Sequence, residues 1–176
     1  LICFSLMKKK MRIGNLEIDL KELTNFVVEA KRNRYSGGGE TRMERDGSRT
    51  FLFHKGSFFY TDNYAGSYKV HGNEFVRWQK EDGRRIWHMF RSGGIVPEFL
   101  GNERVREHTF AFLREASKMV SFSHPFRGPP KHENEDLEYT MEVCGNITEF
   151  FGTEDINNKI LRGNVLFQDF MGGVVC

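Results

Sequence analysis

The sequence predicts an α+β fold: a duplicated helix-plus-antiparallel-β-meander unit with an approximate internal twofold, its two main helices packed on a curved antiparallel sheet. Three observations carry the prediction. Two stretches show helical apolar spacing, each is followed by short alternating runs bounded by turn residues, and the second series echoes the first.

The opening "LICFSLMKKKMRIG" has the wrong order for an export signal. Its apolar run precedes the lysines, is far shorter than a membrane span and lacks a small-residue cleavage site. Residues 1–15 are therefore read as an N-terminal extension, with Met7 or Met11 as the expected start and Leu1–Leu6 set aside. Residues 16–176 are read as a single α+β domain made of two repeats, about 19–96 and 103–175.

The first helix is predicted to begin at Asp19, which stands three residues before Glu22 in capping-box spacing. Leu20, Leu23, Phe26, Val27 and Ala30 follow as a helical stripe, and "YSGGGE" ends it because Gly37–Gly39 have too much backbone freedom to continue. Then come "RTFLFH", "SFFYTDNY", "SYKVH", "EFVRWQ" and "RIWHMFR". The breaks between them are turn-like, and Asp82-Gly83 suits a tight hairpin because the pair tolerates positive φ. A second helix is predicted over roughly Glu103 to Val120, with Val105, Thr109, Phe112, Leu113, Ala116 and Val120 on its buried stripe. The loop "SFSHPFRGPP" and the runs "LEYTMEV", "NITEFF", "KILR" and "VLFQDF" complete a second meander.

The echo is positional. "FVVEAK" (26–31) parallels "FLREAS" (112–117), "FYTDNYAG" (59–66) parallels "EYTMEVCG" (138–145), and "FRSGGIV" parallels "FMGGVV". Along the meanders the spacing between echoed positions holds to within one residue, and an additional strand around Thr50–Lys55 accounts for the longer first half.

Composition narrows the function. With 26 Lys+Arg against 24 Asp+Glu the net charge is only +2, too little for phosphate-backbone binding to be the default, so no direct nucleic-acid binding is expected. Three widely spaced cysteines (Cys3, Cys144, Cys176) form no CxxC and point to a reducing cytoplasm, with no disulfide framework and no membrane attachment. Cys144, beside Gly145, reads as a small buried thiol.

No motif names a reaction. The six histidines are scattered one per element, without HExxH or a His/Cys cluster, so no metal is expected. "YSGGGE" follows a helix where a phosphate cradle would open one, and no Walker A, GxSxG or GxGxxG occurs, so no cofactor is expected and no catalytic residue is named. Paired carboxylates are the remaining chemistry: Asp62 with Glu142, or Asp62 with Asp169, would serve acid–base catalysis if the meanders face each other.

The strands are apolar on both faces. In "RRIWHMFR" Ile86 and Phe90 share one face and Trp87 and Met89 the other, so something beyond the helices must cover the second face. The candidates are the other half, a second copy of the chain in a homodimer, or an unidentified small molecule in an aromatic-lined hollow. In the ligand reading the site lies where the meanders meet, formed by Tyr60, Asp62, Tyr64, Trp78, Trp87, Arg91, Arg127, Tyr139 and Glu142.

The segments "FVVEAKRNRYSGGGE", "RDGSRTFLF", "FFYTDNYAGSYKVHGNE", "RIWHM", "PFRGP", "YTMEVCG" and "FMGG" together resemble an uncharacterised prokaryotic family, a domain of unknown function, over about Asp19 to Val175. Some members of that family are described as helix-turn-helix transcriptional regulators carrying this domain behind a DNA-binding head. The resemblance implies no catalytic residues. It implies that this chain, with no room for such a head before Asp19, corresponds to the sensing part alone.

Three functions compete. The leading one is a cytoplasmic, non-catalytic small-molecule-binding or effector-sensing domain. The others are a metal-independent hydrolase or isomerase using carboxylates and tyrosines in a cleft between the repeats, and a dimerising structural or regulatory interaction protein.

Overall fold

Asp19 caps the first helix as its spacing predicts: its carboxylate accepts from the backbone amides of Lys21 and Glu22, at 2.8 and 3.0 Å. Helix α1 (Leu20–Ser36) then buries Leu20, Leu23, Val27 and Ala30, and Gly37 closes it at φ +83°. The computed structural model describes residues 10–175. Cys3, Cys176 and most of the predicted N-terminal extension lie outside that range, and the rest of the extension begins with strand β1 (Lys10–Ile13). This strand pairs with β2 (Leu16–Asp19), and the hairpin places Ile13 and Ile18 in the core.

After α1 come β3 (Glu40–Met43), β4 (Arg49–Lys55), β5 (Phe58–Ala65), β6 (Lys69–Trp78) and β7 (Arg85–Ile95). Helix α2 (Glu103–Ser117) follows, capped by the Asn102 side chain on the Val105 amide. The chain ends with β8 (Lys131–Glu133), β9 (Leu137–Asn146), β10 (Glu149–Asn158) and β11 (Gly163–Val174). Strands β3 to β11 form one antiparallel sheet in the order β3-β4-β5-β6-β7-β11-β10-β9-β8.

That sheet overturns the predicted fold. The described residues are mostly strand, with nine strands in one sheet, a separate two-stranded hairpin, two α-helices and one short 3-10 turn at Pro97–Phe99. It is not assembled from helix-plus-meander units. The reason lies at the centre, where β7 and β11 pair directly, Arg91 opposite Phe170 and Phe90 opposite Met171. A meander standing alone would leave its last strand with a row of unpaired backbone groups; pairing β7 with β11 satisfies both rows and merges everything into one sheet. The glycine pairs of "FRSGG" and "FMGG" sit along this ladder. Gly93 and Gly94 hold φ of +144° and +137°, and a Cβ on either would come within 2.2 Å of a neighbouring carbonyl oxygen.

Local differences have local causes. "SYKVH" and "EFVRWQ" form the single strand β6 across Gly72-Asn73, because Gly72 lies opposite Arg91 in a ladder that keeps its register from Lys69 to Val76. "KILR" is turn rather than strand throughout, with the Asn158 side chain accepting from the Ile160 and Leu161 amides.

Both helices pack on one face of the sheet. Val27 and Ala30 of α1 and Phe112 and Ala116 of α2 join Trp87, Met89, Phe150 and Phe170 in the core. Each such aliphatic or aromatic side chain contributes about 1.5–3 kcal/mol by leaving water. The opposite face exposes Phe90, Met171 and Phe151 at successive cross-strand positions, with Cys144 next in the row. Cys144 is exposed rather than the buried thiol predicted from its place at a strand end.

Candidate functional site

A half-buried strand alternates apolar and polar residues, but here the inner, helix-covered face itself carries charge. On β5 it presents Tyr60 and Asp62, on β6 Glu74, on β7 Arg91, on β11 Gln168 and on β10 Glu154, and all six side chains are buried. The core-facing stripe of α1 turns polar in step: Lys31 and Arg34 stand four and seven positions beyond Val27, over those strands. Both lie near the helix C-terminus, where the dipole favours cations. The loop His124–Pro130 supplies Arg127, which is buried between Phe126, stacked on Phe150 at 3.9 Å, and Gly128, packed close against the Tyr139 ring.

These groups form one connected ion network. Glu74 Oε2 accepts from Lys31 Nζ and, at 2.6 Å, from the Tyr60 hydroxyl, while Oε1 accepts from Arg91 Nη1 at 2.7 Å. Arg91 Nη2 stands 2.9 Å from Asp62 Oδ1, and Arg34 Nε pairs with the other Asp62 oxygen. Arg127 reaches Glu154 Oε1 through Nε and Nη2, each at 2.8 Å, and donates to the Tyr35 hydroxyl at 3.0 Å. Tyr139 donates to the second Glu154 oxygen at 2.9 Å. Gly72 makes the arrangement possible: a Cβ there would lie 3.0 Å from the Arg91 guanidinium carbon.

Protonation follows from the balance of burial and charge. Burial alone would push the Glu74 carboxyl up, but Lys31, Arg91 and Arg127 outweigh it and hold the group at about 2. Burial lowers the Lys31 ammonium, with Glu74 opposing. Burial, then Glu74, pushes the Tyr60 phenol up, whereas Tyr35 is drawn down because Arg127, Arg34 and Lys31 outweigh its burial. Glu74 is thus held as an anion by the cations around it.

A cavity of about 210 Å³ opens over this network. Arg91, Arg127 and Gln168 form its floor, Arg34 and Tyr35 of α1 one wall, and Phe110, Leu113 and Ser117 of α2 another; Arg49, Tyr64, Gly66, Val70, Arg106 and Arg114 complete the rim. The Arg34 guanidinium sits between the Tyr35 and Tyr64 rings, 4.9 Å from each centroid. A second hollow of about 330 Å³, near β3 and the outer ends of β4 and β5, is larger but gathers no such network of buried charge.

Of the residues predicted for a site, Tyr64, Arg91 and Arg127 line this cavity, and Tyr60, Asp62 and Tyr139 are buried in the network below it. The other three stand apart. Trp87 is core, donating to the Ile147 carbonyl at 3.1 Å and stacked on Phe150. Trp78 packs edge-on against Phe58, and Glu142 is exposed on the outer face. The acid–base pairs do not form: Asp62 points inward, while Glu142 and Asp169 are exposed on the opposite face. Sequence reasoning missed Lys31, Arg34, Tyr35, Glu74, Glu154 and Gln168. The available signal was phase, since Glu74, Glu154 and Gln168 occupy strand positions whose parity matches Val76, Ile156 and Leu166.

Among the described residues, no three His, Cys, Asp or Glu gather as a metal-binding group, and no helix is long and apolar enough to cross a membrane. No curated protein and no solved structure matches the chain. A family model does match, over residues 62–175, a stretch that carries Asp62, Glu74, Arg91, Arg127, Glu154 and Gln168 but not α1. By that match the chain belongs to the family described as a domain of unknown function, DUF5680.

Proposed function

We propose that the chain is a non-catalytic domain that binds a small-molecule effector in the cavity between α1, α2 and the inner face of the sheet. One observation carries this reading. Arg34, Arg91, Arg127 and Gln168, from four separate elements, converge on one hollow, while their carboxylate partners Asp62 and Glu154 hold them from outside its lining. Buried polar groups cost free energy to assemble, and fixing several of them around a hollow pre-organises a binding site. Binding pockets more often measure about 300–1,000 Å³, so this one suits a small ligand. A ligand there touches both helices, which fits the sensing role implied by the resemblance to an uncharacterised family, some of whose members are described as helix-turn-helix regulators. A reducing cytoplasm is the setting proposed, in keeping with the unpaired Cys144.

The test is a thermal-shift screen of a metabolite library on the wild type and on Val70→Trp, which fills the cavity from its rim. A ligand that binds only the folded state stabilises it by about 2.7 kcal/mol at a hundredfold excess over its Kd. Hits abolished by Val70→Trp support the reading; a library without hits, or hits indifferent to that substitution, overturns it.

A second reading, a homodimer through the outer face, is favoured by the exposed row Phe90, Met171 and Phe151. Sedimentation of the wild type beside Phe151→Asp tests it: a dimer that the substitution dissociates supports the reading, and a wild-type monomer ends it.

A further inference from the structure

The lining of the cavity is one-sided in charge. Six arginines contribute to it, Arg34, Arg49, Arg91, Arg106, Arg114 and Arg127, and no carboxylate does. The network beneath does not neutralise them. Lys31 and Glu74 form one pair whose net charge is zero whichever group holds the proton. That leaves the guanidiniums of Arg34, Arg91 and Arg127 against two carboxylates, Asp62 and Glu154, a surplus of one positive charge across the cavity floor and its α1 wall. At the rim, Arg106 is held by Glu103, but Arg49 and Arg114 have no carboxylate partner within ion-pair distance among the described residues. An uncompensated charge shielded from water is costly and draws a counter-charge. Val70, Phe110 and Leu113 supply an apolar side to the same hollow.

We infer that the ligand of this cavity is a small organic anion: a carboxylate or phosphate group carried on an apolar body, its charged end on the guanidiniums of the floor and rim. The inference rests on the binding role proposed above and adds the ligand's chemistry. Arginine suits it because the planar fork donates two parallel hydrogen bonds to either oxyanion.

The test uses matched compounds: benzoate, indole-3-acetate and phenyl phosphate, their neutral counterparts benzamide and indole-3-acetamide, and the amines benzylamine and tryptamine. Affinities are measured by ligand-observed NMR at low salt. Arg34, Arg91 and Arg127 support the fold, so the informative variants are Arg49→Glu and Arg114→Glu at the exposed rim. The expected result is binding by acids and not by amides or amines. Each reversal should weaken the acids at least tenfold, with the melting temperature unchanged. Benzoate against phenyl phosphate then decides which oxyanion is preferred. Amides or amines binding as well as the acids would overturn the anion inference while leaving a binding cavity. If the acids fail to bind while neutral library compounds do, the same holds. If no compound of any charge binds, the proposed function falls as well.

Discussion

Lys31 on α1 and Glu74 on β6 meet in direct contact with both side chains buried, and the Glu74 oxygen that receives the ammonium also receives the Tyr60 hydroxyl. A pair this deep is weak evidence for stability as such, because desolvating two charges offsets most of their attraction. Its consequence is asymmetry: removing one partner strands the other. Glu74→Gln should cost about 3–5 kcal/mol, and the double variant Lys31→Met/Glu74→Leu should cost less than its single substitutions summed. Urea unfolding checks both. A Glu74→Gln protein within about 1 kcal/mol of wild type would contradict the pairing.

The same carboxylate sets an acid limb. Glu74 titrates at about 2 in the folded protein against an ordinary 4.5, so its stabilisation is fully present above pH 4.5 and is lost as pH falls towards 2. At about 1.4 kcal/mol per pH unit, a shift from 4.5 to about 2 makes the loss roughly 3–4 kcal/mol. Unfolding free energies measured across that window should fall more steeply in the wild type than in Glu74→Gln. Equal slopes would assign the acid limb to other groups.

Trp87 separates core from site. Being fully buried and stacked on Phe150, it should destabilise the protein by about 3–5 kcal/mol as Trp87→Ala, while Trp87→Phe costs less. Denaturant unfolding reads the difference. A Trp87→Ala protein of near-normal stability would return this residue to the candidates for ligand contact.

Gly72 tests the seat of Arg91. In Gly72→Ala the new Cβ must displace a guanidinium held by Asp62 and Glu74, at a cost of about 1–3 kcal/mol. Gly163→Ala, whose nearest atom stands 4.0 Å away, should stay within about 0.5 kcal/mol of wild type. Thermal or urea unfolding of the two variants side by side gives the comparison.

The helices and long strands were legible because their signals are local. Asp19 and Glu22 mark a cap, Val27 and Ala30 a stripe, and Trp87 and Met89 a period of two. The merging of all strands into one sheet was not, since the β7–β11 pairing joins residues far apart in the chain and leaves no mark on local periodicity. The residues that line the candidate cavity were legible in part for the same reason. Tyr64, Arg91 and Arg127 stood out as polar groups in apolar surroundings. Lys31 and Arg34, however, lie beyond the apolar stripe that ends at Ala30, and only the strands beneath show that this turn faces inward.

The measurement that bears most directly on the cavity as a binding site is an NMR perturbation map with a bound small molecule from the library screen. Signals of Arg34, Tyr64, Arg91 and Gln168 should move together on saturation, while those of outer-face Phe90 and Phe151 stay in place. Perturbations confined to the outer face, or spread with no focus on the cavity residues, would contradict the account.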